Sequence, residues 1–252
     1  MKATKKTGLT GSTLKLIAII TMFIDHIGAI LLENGLLLQV SDSVLAGNSF
    51  DFLVADYHFW SNFNLVLRLI GRLAFPLFCF LLVEGFLHTK NVKKYALRLG
   101  IFALISEIPF DLAVYNSYFD FKSQNVFFTL LLGLLVLWGL QYFKENLPVT
   151  MMPLRYLAAI TGMLAAHFLQ TDYAAFGVLL IVLLYELIEN RKWQCIGGAL
   201  LTLFKSYTAP LAFLFAYYYN GERGKQLPKY VFYAFYPAHL LLLYFIRVLW
   251  LS

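Results

Sequence analysis

Residues Phe127–Leu140 read FFTLLLGLLVLWGL, fourteen positions without a charge and rich in leucine. Several other runs in the chain match it in character. A helix needs about 20 apolar residues to cross a hydrocarbon core roughly 30 Å thick. Across 252 residues with short connections, that allows about eight to ten crossings. An outer-membrane barrel alternates apolar and polar positions, and these runs do not alternate. The composition points the same way. Charged residues make up 13% of the chain, against about 25% in a soluble domain. Twenty-four Phe and 16 Tyr exclude a disordered chain. The fold class expected is all-α, a polytopic transmembrane helical bundle forming one domain over 1–252.

Nine helices are expected, at 13–32, 65–87, 94–113, 125–143, 154–168, 173–188, 194–205, 208–219 and 230–250. The segments 1–15, 88–98, 144–155, 189–193 and 220–229 hold fifteen of the 20 basic residues. The connection 33–64 has none and carries Glu33, Asp42, Asp51 and Asp56. By the positive-inside rule the N-terminus is cytoplasmic and 33–64 is an outward loop. That loop reads as lying on the headgroups, or as a lid or acceptor platform. The same rule splits 195–219 into two short spans near Lys205–Pro210, so that 220–229 returns to the cytoplasm. The +6 net charge sits in these loops and calls for no nucleic acid. The expected location is the bacterial inner (cytoplasmic) membrane, with lipids as neighbours. Cys79 and Cys195 form no CxxC and are read as packing residues. No metal is expected.

Ionisable groups inside a bilayer are costly and face the bundle or a wet cavity. This chain places Asp25, His26, Arg68, Arg72, Glu107, Asp111, Asn125, His167 and Asp172 in the expected outer half. Arg68 and Arg72, like Glu107 and Asp111, stand four residues apart on one helical face. They read either as salt bridges locking two helices or as a polar site. His26 lies 11 residues after Lys15, close to three full turns, so both share one stripe about 16 Å apart. A phosphorylated carrier with a long arm, such as coenzyme A, fits that span. The alternative is a flanking lysine and a bundle histidine. Neutral imidazole works as a general base or a nucleophile. His239 follows Pro237 and reads as a bundle histidine or as part of a carrier site.

Four stretches carry a family resemblance: Leu14–Ala18 through Met22–His26; Arg68–Pro76 through Glu84-Gly85-Phe86; Arg98 through Ser106–Asp111; and Asn220–Gly224 followed by Tyr230 through Tyr236-Pro237-Ala238-His239-Leu240. Together they resemble the TraX family of membrane proteins over nearly the whole chain. The best-known member acetylates the N-terminal amine of conjugative pilin subunits. The resemblance therefore implies an acetyl-CoA-dependent acetyltransferase acting on an exported, pilin-like peptide. The family is also similar to the acyltransferase-3 group, which carries a basic residue some ten positions before an essential histidine. Lys15 and His26 resemble that pair, and Arg98 resembles the group's basic residue after a Gly-Phe.

On that basis His26, Asp25 and Glu107 are the expected catalytic residues. Lys15, Arg68, Arg72, Lys93, Lys94, Arg98 and His239 are assigned to the acetyl-CoA donor, and Asp111, Asn125, His167 and Asp172 to the acceptor. His26 would act as general base or as a transient acetyl carrier. Competing readings are O-acetylation of a surface glycan or lipid-linked sugar, a proton-coupled transporter or flippase, and a non-catalytic pilus assembly factor.

Overall fold

The computed structural model describes residues 7–40, 51–225 and 228–250. Helix α1 (Gly11–His26) runs on without a break into a π-helical segment (Ile27–Leu37). Then follow α2 (Asp51–Gly71), α3 (Ala74–His88), α4 (Val92–Tyr115) and α5 (Val126–Asn146). A 3-10 turn (Val149–Arg155) leads into α6 (Tyr156–Phe168), and α7 (Ala174–Glu186) and α8 (Arg191–Leu203) come next. A short 3-10 turn (Ala209–Leu211) opens α9 (Ala212–Tyr217), and α10 (Lys229–Trp250) follows. The described residues contain no strand, only isolated bridges at Leu9–Tyr219 and Gln124–Thr171.

Asparagine starts three of these helices. Asn91 accepts from the Lys94 N–H at 2.9 Å, Asn125 from Phe127 at 3.1 Å and Asn190 from Lys192 at 3.1 Å. Each satisfies a backbone donor that the first turn would leave without a partner. Helix α4 ends where Asn116 turns left-handed, at φ 55°.

Five helical stretches among the described residues are long and apolar enough to cross a membrane: Gly11–Val40, Tyr57–His88, Val126–Asn146, Val149–Phe168 and Tyr230–Leu249. This is a multi-pass membrane protein. Its core is built where α1, α3, α5 and α7 meet, around Leu14, Leu77, Phe80, Leu134, Leu137 and Ile181, all fully buried. Outward-facing Leu97, Leu104, Leu157 and Leu200 are exposed, as side chains meeting lipid are. Close approach replaces the hydrophobic drive that lipid cannot supply between helices. A Cβ on Gly162 of α6 would lie 2.1 Å from Val136 Cγ2 of α5, so only glycine permits this crossing.

Each of the nine expected helices has its counterpart, including the split of 195–219 at residues 204–208. Two differences stand out. The expected loop 33–64 is helical at both described ends, the π segment reaching Leu37 and α2 beginning at Asp51; residues 41–50 of it lie outside the described residues. The residues of α2 toward the first helical stretch include buried Asn64 and half-buried Arg68, while Phe59, Phe63, Leu65 and Val66 face out. That mixture hides the helix from a search for continuous apolar runs. The expected helix 65–87 is also broken, at Arg72-Leu73.

Candidate functional site

Two polar regions meet at the end of α1. The first is a cavity of about 530 Å³ between α1, α3, α4, α5 and α10. Its rim carries Lys15, Lys90, Lys94, Arg98 and Arg223, together with His88. Farther along α1, Met22 lines it, with Phe127, Leu130 and Tyr236. The Arg98 guanidinium lies 5.6 Å from the Tyr95 ring and beside the Tyr233 hydroxyl. Its Nε is buried and, among the described residues, has no hydrogen-bond partner. Lys15 Nζ lies 5.5 Å from the Phe232 ring.

The rim is assembled by the chain's own loops. The carbonyls of Glu222 and Arg223 accept the N–H groups of Gly11 and Ser12 at 2.8 and 3.0 Å. They satisfy the open donors at the start of α1. Arg223 also donates to the His88 carbonyl at 3.2 Å. Glu84, which also lines the cavity, accepts from Arg191 at 2.6 Å, and Arg191 lies 4.6 Å from the Phe80 ring.

At the inner end stands a histidine pair. His26 Nδ1 lies 2.6 Å from His239 Nε2, with the rings stacked at 4.9 Å. His239 Nδ1 lies 2.7 Å from the Phe235 carbonyl, one turn back on α10. Rings of Phe23, Phe235 and Tyr236 enclose the pair. His26 does not itself line the cavity. Met22, four residues earlier on the same face, does. So does Tyr236, whose ring centroid is 6.0 Å from that of His26. The Tyr236 hydroxyl meets the backbone of Val126 at the start of α5.

The second region is an ionic nest between α1 and α2. Arg68 donates to Asp25 at 2.7 Å and lies 3.6 Å from Glu33. Arg72 bonds the Tyr173 hydroxyl, and Asp172 lies within electrostatic reach of Asp25 and both arginines. Gly71 makes room for it, since a Cβ there would fall 2.2 Å from Asp25 Cβ.

The residues expected from sequence sort accordingly. Lys15, Lys94 and Arg98 share the cavity; Lys93 is exposed and does not line it. Arg68 and Arg72 lie in the nest, away from the cavity lining. His239 bonds directly to His26. Asp25, next to His26 in sequence, turns to Arg68 instead.

Arginines 68 and 72 do not lock onto Glu107 and Asp111. Glu107 accepts from the Asn125 side chain and from its backbone N–H, clamping α4 to the start of α5. Asp111 accepts from the Asp120 N–H at 3.0 Å and holds the loop after α4. His167 stands exposed beside Phe168. Residues not singled out from sequence also matter. Arg247 is buried and donates to the carbonyls of Ala113 and Leu112 at 2.8 and 3.1 Å, tying α10 to the end of α4. Tyr236 shares a helical face with His239, three positions apart, which was the signal available for it. Among the described residues, no group of three His, Cys, Asp or Glu is placed to hold a metal ion.

The TraX protein family matches residues 10–247. The chain belongs to the TraX family. It is 30% identical, over 260 residues, to the probable fimbrial assembly protein FimC, serogroup H1, of Dichelobacter nodosus. That alignment covers 91% of this chain and 92% of the other. No solved structure matches it. The TraX match spans both histidines of the pair and the whole cavity lining.

Proposed function

We propose that this TraX-family protein transfers an acetyl group from acetyl-CoA to the N-terminal amine of an exported, pilin-like peptide. One observation carries the reading: a cation-rimmed cavity with an apolar interior reaches Met22 and Tyr236, and the Tyr236 ring packs against the histidine pair. Pockets of 300–1,000 Å³ accept small-molecule ligands. Five basic side chains lining the cavity suit the phosphates of coenzyme A, the Arg98 guanidinium among them. The stem of the donor would follow the apolar wall along α1, from Lys15 toward Met22. The relative named for fimbrial assembly supports a pilin-like acceptor.

In this reading the basic rim faces the cytoplasm, where acetyl-CoA is made, and the acceptor comes from the side of the ionic nest. An N-terminal amine titrates near 7.7–8.0, so a useful fraction is neutral at physiological pH. Its nitrogen attacks the thioester carbonyl carbon, and a C–N bond forms as the C–S bond breaks. His26 takes the proton that the nitrogen sheds and returns it to the departing sulfur, leaving an amide and the CoA thiol.

The test uses the full-length protein purified in nanodiscs, with labelled acetyl-CoA and a peptide copying a pilin N-terminus. Label on the peptide amine, lost in His26→Ala with insertion and folding unchanged, is the expected result. Full turnover by His26→Ala would overturn the role of His26. Ion-gradient-driven flux without use of acetyl-CoA would replace the enzyme reading with transport.

A further inference from the structure

The hydrogen bonds around the histidine pair decide where its protons sit. The carbonyl oxygen of Phe235 can only accept, so His239 Nδ1, 2.7 Å away, carries a hydrogen. In a neutral imidazole the other nitrogen then bears the lone pair. That nitrogen, Nε2, is 2.6 Å from His26 Nδ1. His26 must therefore donate from Nδ1, and its own lone pair is left on Nε2.

The other arrangements put a full charge on one of the two rings, with both nitrogens of His239 or both nitrogens of His26 carrying hydrogen. The surroundings oppose that. The His239 ring stacks on Phe235 at 4.7 Å and meets Phe23 and Tyr236 edge-on. Among the described residues, neither histidine has a carboxylate within ion-pair distance; Asp25 is taken by Arg68. A lone charge in such an apolar setting costs several kcal/mol.

We infer that His239 is a positioning residue: it holds His26 as the Nδ1–H tautomer and presents Nε2 as the basic atom. The catalytic meaning of this rests on the acetyl-transfer reading above; the tautomer assignment does not. A second residue that fixes the tautomer of a catalytic imidazole through its far nitrogen is an established device. Here the device is a neutral histidine, which suits a site sunk in lipid better than a carboxylate would.

Two variants separate positioning from donor binding and from packing. In His239→Gln, the side-chain amide oxygen can reach the place of Nε2 and accept from His26. In His239→Leu, bulk remains and the acceptor is lost. We expect His239→Gln to keep turnover within several-fold of wild type. His239→Leu should lose kcat by about 10²-fold, the usual effect of removing such a partner, at unchanged KM for acetyl-CoA. A raised KM in both variants at unchanged kcat would make His239 part of the donor site and overturn the inference. Equal loss of kcat in both would reduce it to packing.

The second measurement needs no activity. The 15N spectrum of ring-labelled histidine, with His26 assigned by difference against His26→Gln, should show an unprotonated Nε2 in wild type. In His239→Leu that single tautomer should give way to a mixture. A protonated Nε2 in the wild-type protein would overturn the inference. If the protein transfers no acetyl group at all, the functional reading falls, and the spectrum alone still decides the role of His239.

Discussion

Arg98 offers a graded test of the donor cavity. It is half-buried, lines the cavity, and has, among the described residues, an Nε without a partner, whereas Lys94 lines it from an exposed position and Lys93, one residue away, does not line it. A hydrogen bond to a charged group contributes about 1.5–3 kcal/mol, and 1.4 kcal/mol corresponds to about tenfold in an equilibrium constant. Arg98→Met keeps an apolar stem over Tyr95 and removes the charge. It should raise KM for acetyl-CoA by about 10- to 150-fold at nearly constant kcat. Arg98→Lys should fall between, since an ammonium cannot reproduce the planar fork. Lys94→Met should cost only about two- to fivefold, because solvent and salt screen an exposed charge. Lys93→Met should change nothing. Arg98 also lies beside the Tyr233 hydroxyl, so Tyr233→Phe serves as the control and should leave KM in place. Steady-state acetylation in nanodiscs, at low and at moderate salt, reads all five variants. An effect of Lys93→Met equal to that of Arg98→Met, or a loss confined to kcat, would show that the donor phosphates do not bind at this rim.

Other outcomes concern the scaffold. Gly71→Ala drives a methyl group into Asp25, and the parting of α1 from α2 should cost about 1–3 kcal/mol, read as a lower melting temperature in detergent. Asn125→Ala removes a helix cap and the partner of Glu107, which together should cost about 2–3 kcal/mol. Asn125→Asp should melt lower still, because it sets a second carboxylate against Glu107. Glu84→Gln leaves Arg191 without its counter-charge, at about 1–3 kcal/mol after allowance for the partial exposure of Arg191. Pairing Glu84→Gln with Arg191→Met should recover part of that loss in the same melting assay.

Much of the bundle was legible because lipid imposes a simple grammar of apolar runs and basic flanks. The break before Pro210 followed from charge placement, the proline and the polar run before it, and the structure has it at residues 204–208. The part of α2 before residue 65 was not legible, because its polar residues pair with another helix instead of with water. Asn64 looks like a loop residue until the first helical stretch is beside it. The site divides in the same way. Spacing along one helix grouped Lys15 with His26, and Arg98 was reached through its motif. The contacts made across helices, Asp25 with Arg68, Glu107 with Asn125 and His26 with His239, depend on rotations that a one-dimensional pattern does not record. Arg247 was not singled out, yet it is buried and holds two carbonyls of α4.

The two histidines that share a hydrogen are 213 residues apart in the chain. Most of the bundle must be synthesised and threaded into the bilayer before one meets the other. During that interval the basic chamber lacks the wall that α10 contributes through Phe232, Tyr233 and Tyr236. Until α10 arrives, that chamber stands open on one side and His26 has no histidine beside it; the last long helix supplies both the wall and the partner.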